Sequence, residues 1–164
     1  MNQEKLELIT DFYEFTMSNG YLLKNMNDIA YFDVFFRSVP DKGGYAIVAG
    51  LEQVIEFIEN LKFDDEDIKY LRARNIFSEE FLDYLKNFKF SGDIWAIPEG
   101  TVVFPREPLI TVRAPIIEAQ LLETMLLLII NHQSLIATKT NRIVREAKGR
   151  PVMEFGARRA HGTA

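Results

Sequence analysis

Apolar residues between Tyr45 and Leu61 recur at helical spacing. Val48, Leu51, Val54, Ile55 and Ile58 fall on one face of a 3.6-residue turn, so this stretch is predicted to be helical. Leu6 to Lys24 reads the same way. Thr10 is placed to cap it, Tyr13, Met17, Tyr21 and Lys24 lie along one stripe, and Gly20 loosens the last turns. Two shorter helices are marked by their opening residues. The acids of "DDED" at 64–67 suit the positive end of a helix dipole. Ser78-Glu79-Glu80-Phe81 is a capping-box-like start for a helix that runs to the neighbourhood of Phe88.

Other stretches carry strand character. "AYFDVFFR", Ala30 to Arg37, is dense in aromatic and β-branched residues and is predicted to be a strand, with Pro40 and Gly43-Gly44 punctuating the loop after it. "DIWAIPEGTVVFPREPLITVRAP", 93–115, breaks into short β-rich pieces at its prolines and at Gly100, which predicts a small antiparallel unit of tight turns. Ile116 to Lys148 follows as one long helix or two abutting ones. Its stripe of Leu121, Met125, Leu128, Leu135 and Ile136 is broad enough to predict burial on several sides. Gly149 ends the helix, and Arg150-Pro151 introduces a predicted strand, Val152 to Phe155. The layout is α+β. That last strand has no obvious partner, and an unpaired strand exposes its backbone groups. The favoured expectation is that the chain is the front end of something longer.

Composition narrows the function. With 164 residues, 48% hydrophobic and 26% charged, the chain is an ordinary globular domain. There is no cysteine, so disulfides, thiolate metal sites and a cysteine nucleophile are excluded. The N-terminus lacks the basic and apolar regions of a secretory signal, and the run from Met125 to Ile130 is far shorter than the ~20 residues of a membrane helix. A soluble, cytoplasmic protein is expected. A net charge of −5 argues against nucleic acid as a partner. The charge is uneven, however. Arg142, Arg145, Lys148, Arg150, Arg158 and Arg159 crowd the end of the chain against only Glu146 and Glu154, which suits a small anionic ligand.

The candidate chemistry is concentrated in Phe155-Gly156-Ala157-Arg158-Arg159. An aromatic ring stacks on a flat heteroaromatic ligand. A glycine lets a ligand approach the backbone, and an arginine fork grips a carboxylate or phosphate through two parallel bonds. Together they suit a flat aromatic acid or a sugar phosphate. Surface arginines at a strand end explain the same pattern without a ligand. Elsewhere the sequence offers less. His132 lies in an apolar helix and reads as a structural histidine. Glu118 and Glu123 are five apart, about 140° around a helix, and do not pair. No metal-ligand spacing is present.

Six blocks, in order, resemble the nicotinate phosphoribosyltransferase family: "LITDFYEFTM" at 8–17, "FDVFFRSVP" at 32–40, "GYAIVAGLE" at 44–52, "EGTVVFPREPLITVRAPIIEAQLLET" at 99–124, "INHQSLIATKTNRI" at 130–143 and "GRPVMEFGARRAHG" at 149–162. The resemblance implies the N-terminal α+β domain of a type II phosphoribosyltransferase, residues 1–148, followed at 149–164 by the first strand of an incomplete α/β barrel. It implies transfer of 5-phosphoribosyl-1-pyrophosphate to nicotinate, giving nicotinate mononucleotide and pyrophosphate, with ATP and Mg2+ as co-substrates and no prosthetic group.

By the same resemblance, Phe155 stacks on the pyridine ring and Arg158, with Arg159 as second choice, binds its carboxylate. Tyr13 supplies the opposite face across the interface of a homodimer with shared active sites. Arg37, from the neighbouring subunit, contacts ribosyl phosphate, and Thr138 and Lys139 line the phosphate side. Tyr13 also has a core reading on its helix stripe, and Arg37 a reading as an exposed strand end. Asp11 and Thr16 read as helix-start and packing groups, and His161 stands where the family often carries glutamine. The family's phosphorylated histidine has no counterpart among these residues. The 164 residues by themselves are therefore expected to be inactive, with no catalytic residue of their own. Two other readings remain open: a non-catalytic truncated domain, and a relative acting on nicotinamide or quinolinate.

Overall fold

Ile110–Pro115 (β5) alternates buried and half-buried residues because it is the central strand of a sheet. Ile29–Val34 (β1) and Asp93–Ala96 (β3) flank it, both antiparallel, in the order β1-β5-β3. The register places Phe32, Val112 and Ile94 side by side on the inward face, and Tyr31, Arg113 and Asp93 on the outward one. The outward row is tied together by Arg113, which donates to the Tyr31 hydroxyl at 3.1 Å and to Asp93 at 3.0 Å. A second pair of short strands, Ala46–Ile47 (β2) and Val102–Val103 (β4), forms a two-stranded antiparallel sheet. The predicted antiparallel unit at 93–115 is present in the pairing of β3 with β5, but it is not self-contained, since β5 also pairs with β1 and β4 pairs with β2.

The chain is described here from a computed structural model, which covers residues 6–39 and 42–160. Pro40 and His161, both singled out in the sequence, lie outside the described residues. The helices are Phe12–Leu23 (α1), Leu51–Asn60 (α2), Asp65–Arg72 (α3), Glu79–Lys86 (α4), Ile116–Gln120 (α5) and Glu123–Ala147 (α6). The two capping signals act as predicted. Asp64 and Asp67 form a reciprocal capping box on α3, and the Ser78 hydroxyl accepts from Phe81 N at 3.2 Å on α4. Phenylalanine rings knit these helices to α1, with Phe15 edge-on to Phe63 at 5.9 Å and to Phe77 at 6.3 Å.

Three sequence expectations are corrected. The helix predicted from Tyr45 starts only at Leu51, because Gly50 adopts φ 104, where a side chain would be strained. Before it, Val48 is extended and exchanges backbone bonds with Gly100 and Thr101. The first helix starts at Phe12, and its predicted apolar stripe faces out: Tyr13 and Met17 are exposed, while Glu14, Phe15 and Ser18 are buried. Thr10 does not cap this helix, since its hydroxyl donates to the Glu14 carboxylate.

The stretch after residue 115 is two abutting helices; residues 117–122 are all buried, as expected, but α6 is buried on one side only. Leu121 and Met125 are inside, whereas Leu128 and Ile136 are more than half exposed and Leu135 is exposed too. By length and composition Ile116–Ala147 is apolar enough to cross a membrane, its most apolar 18-residue window having a mean hydropathy of 1.3. Its buried side packs on β2 and α2 as part of the core.

Val152–Phe155 is not a strand. The segment is extended and solvent-exposed with no ladder partner among the described residues, so water satisfies its backbone.

Candidate functional site

The start of α1 is bolted to the start of α6. Glu14 is fully buried, and its carboxylate accepts from Thr10, from the Thr124 hydroxyl at 2.5 Å and from Thr124 N at 3.2 Å. Asp11 N in turn donates to the Thr124 hydroxyl at 3.1 Å. Burial pushes the Glu14 carboxyl above its ordinary range, against the hydrogen bonds that pull it down. Between these anchors Tyr13 points outward, 43% exposed. Partial desolvation, then the influence of the Glu123 carboxylate, push the phenol up to about 12. Glu123 is held by Gln120, whose amide donates to it at 2.8 Å. Gln120 is itself buried on α5.

The end of the chain forms a second cluster. Ala157–Arg159 is a single 3-10 turn, closed by Arg159 N donating to Gly156 O at 2.7 Å. Phe155 is 77% exposed, and no other ring packs on it among the described residues. Arg158 curls back to donate to Phe155 O at 3.3 Å. Gly156 N donates to the Glu154 carboxylate at 2.5 Å.

The remaining predicted residues are scattered. Thr138 is buried on α6, where its hydroxyl accepts from Ile47 N at 2.8 Å and donates to Ser134 O at 2.6 Å. Ser134 performs the same task one turn earlier, accepting from Ala49 N at 3.0 Å and donating to Ala49 O at 3.1 Å. These hydroxyls complete the open edge of β2, which occupies Thr138 with the backbone. Lys139 is exposed beside it. Arg37 is exposed three residues past the end of β1 and not at the strand end expected. Tyr13 lies near the start of α6, and Phe155 comes eight residues after its last residue. The 25 residues of α6 put about 37 Å between its ends. Phe155 and Arg158 thus come together within the chain, while Tyr13 belongs to the opposite end of α6.

Sequence reading missed Glu123, Gln120 and Glu14 as a group. The signal was present in part: Gln120 and Glu123 are polar, three apart, at the mouth of an apolar helix pair. It also missed a shallow cleft of about 390 Å3 lined by Phe12, Tyr70, Arg74 and Ile76, in which Arg74 lies 4.4 Å over the Tyr70 ring. Glu7, Asp64 and Asp67 bring carboxylate oxygens within 4.8 Å of one another, a grouping that spacing alone did not reveal. Asp64 and Asp67 serve the backbone of the first turn of α3, so the trio is a helix start and does not fit a Mg2+–nucleotide site.

The fold and these sequences have known counterparts. The chain superposes on the crystal structure of nicotinate-nucleotide pyrophosphorylase from Pyrococcus furiosus with a TM-score of 0.75 at 23% identity, over 98% of this chain and 35% of that one, a likeness of fold. The two share one mixed fold of helices and small antiparallel sheets. Residues 8–131 match the nicotinate phosphoribosyltransferase N-terminal domain, and the chain belongs to that family. It is 52% identical to nicotinate phosphoribosyltransferase pncB2 of Mycobacterium tuberculosis, over 95% of this chain and 34% of the relative. It is 44% identical to the nicotinate phosphoribosyltransferase of Bacillus subtilis, over 96% of this chain and 32% of the relative. The human nicotinic acid phosphoribosyltransferase structure superposes with a TM-score of 0.83 at 34% identity, over 93% of this chain and 32% of that one. The chain spans about a third of the length of the curated relatives it matches.

Proposed function

We propose that this chain forms the leading part of an enzyme that joins nicotinate to 5-phosphoribosyl-1-pyrophosphate. The ring nitrogen bonds to the anomeric carbon as the bond to pyrophosphate breaks, giving nicotinate mononucleotide. The observation that carries the reading is the turn at 155–159, where an exposed ring and two guanidinium groups face solvent within five residues. Phe155 stacks on the pyridine and Arg158, with Arg159 beside it, receives its carboxylate. Holding the nitrogen in line with the sugar supplies rate by orientation, and fixed positive charge offsets the developing negative charge of the leaving group.

The exposed ring of Tyr13, at the far end of α6, supports a homodimer in which a partner copy lends the second stacking face. Arg37 and Lys139, both exposed, are the cations left for phosphate, and Thr138 contributes by holding β2. The reading includes ATP and Mg2+ as co-substrates, which supply the driving force of ATP hydrolysis. The described carboxylate trio does not fit them, so no step is routed through this chain's acids. Residues 149–164 begin the catalytic part, and the cytoplasm is the setting.

The test is a product assay on the protein expressed from its native gene, with nicotinate, nicotinamide and quinolinate offered in turn. The proposal expects nicotinate mononucleotide from the first and at least tenfold lower turnover with the others. Equal use of nicotinamide would overturn the assignment of the arginines. Absence of product from any of the three would support a non-catalytic domain.

A further inference from the structure

Tyr13 is the second residue of α1, in the turn whose backbone N–H groups have no acceptor in a preceding turn. Helix ends fray, and a capping side chain normally restrains them. Neither helix start is capped in that way here. Asp11 makes no side-chain bond at the start of α1, and Leu122 makes none at the start of α6. A crossed clasp between the two starts takes over. Thr124, in the first turn of α6, donates its N–H to the Glu14 carboxylate at 3.2 Å and its hydroxyl to the same oxygen at 2.5 Å. That hydroxyl also accepts from Asp11 N at 3.1 Å, and Thr10 donates to the second Glu14 oxygen.

Asp11 and Glu14 stand on either side of Tyr13, so the short segment that carries the ring is fastened to α6 at both ends. Between them Phe12 packs edge-on against Phe77 at 5.7 Å, which ties the same turn to the residues before α4. Glu14 is fully buried, and burying a carboxylate is costly unless its lone pairs are filled, as the three donors fill them. Tyr13 itself is exposed. A fastened backbone beneath an exposed ring is what a preformed binding face requires. A ring on a fraying turn must instead be ordered when the ligand arrives, which weakens affinity.

We propose that Glu14, clasped to Thr124, is a positioning residue for Tyr13, holding the first turn of α1 so that the ring is presented as a preformed stacking face for a flat heteroaromatic acid. This rests on the reading of Tyr13 as a nicotinate-stacking residue and adds the pair that holds it in place. Glu14 is buried and acts only through the turn it fastens. Loss of the clasp therefore raises the nicotinate KM and leaves the 5-phosphoribosyl-1-pyrophosphate KM and kcat in place.

The experiment is a set of KM and kcat measurements on the protein expressed from its native gene, well below its melting temperature. T124V keeps the shape and removes both hydroxyl bonds, T124S keeps the hydroxyl, E14A removes the acceptor, and E14Q keeps an oxygen for Thr124. The expected result is a nicotinate KM raised about 3- to 10-fold in T124V and in E14A, with no further rise in the double variant. T124S and E14Q are expected to lie nearer to wild type than T124V and E14A do. A clasp that serves stability alone lowers Tm in T124V without moving the nicotinate KM, and that result overturns the proposal. So do equal rises in both KM values, or effects of T124V and E14A that multiply in the double variant. Should E14A fail to fold, T124V against T124S decides by the same rule. Y13A separates the two levels of the argument. If it binds nicotinate as wild type does, the stacking role of Tyr13 itself is wrong. If it is impaired while T124V is not, only the positioning role is wrong.

Discussion

Replacing Thr138 by valine isolates one hydroxyl at nearly constant shape. That hydroxyl is buried and is the partner of Ile47 N at 2.8 Å, on the edge of β2 that no strand covers. In T138V the N–H of Ile47 is left inside without an acceptor, which costs about 1–3 kcal/mol. The lost bond to Ser134 O adds little, because that carbonyl is already placed to accept within α6. For a domain of this size each kcal/mol lowers Tm by about 2–4 °C, so a fall near 6 °C is expected, within about 2–12 °C. T138S keeps the hydroxyl and gives up a methyl group, about 0.8 kcal/mol. The assay is thermal unfolding of the protein expressed from its native gene, read together with the KM for 5-phosphoribosyl-1-pyrophosphate. If T138V leaves Tm unchanged while that KM rises strongly, the hydroxyl serves the ligand and not β2, and the reasoning is refuted.

Other outcomes follow from the same geometry. Because burial raises the Glu14 carboxyl above its unfolded value, its neutral form is favoured in the fold. Its contribution is therefore fully present below the unfolded pKa and is lost as pH rises through the folded one. Wild type should lose stability relative to E14Q as pH rises above the ordinary glutamate range, and a Tm difference that stays constant with pH would contradict this. The Glu99 carboxylate accepts from Gly50 N at 2.5 Å and Leu51 N at 2.7 Å, serving as an N-terminal cap for α2 from 48 residues away. E99A should lower stability by about 0.5–2 kcal/mol in denaturant melts, and E99Q by less.

What the sequence made legible was local. The capping residues Asp64 and Ser78, and the two abutting helices after Pro115, follow from chemistry within one or two turns. The turn at 155–159 was visible for the same reason, since ring, glycine and guanidinium are neighbours in the chain. What failed depended on distant partners. The stripe of α1 was assigned to the wrong face because a buried glutamate looks polar until Thr124, 110 residues away, is beside it. Val152–Phe155 has strand composition, but a strand exists only where a ladder does. Val48 fitted a helical period by coincidence, its backbone being paired with residues 100 and 101.

The central claim is that the turn at 155–159 recognises the ring and carboxylate of nicotinate. Its most direct test is the steady-state KM of R158A in the protein expressed from its native gene, with circular dichroism to establish the fold. Loss of a charge-assisted bond predicts a nicotinate KM raised by about 1.5–3 kcal/mol, roughly 10- to 150-fold, with little change in the KM for 5-phosphoribosyl-1-pyrophosphate. A folded R158A enzyme, and an R159A counterpart, that both bind nicotinate as wild type does would contradict the account.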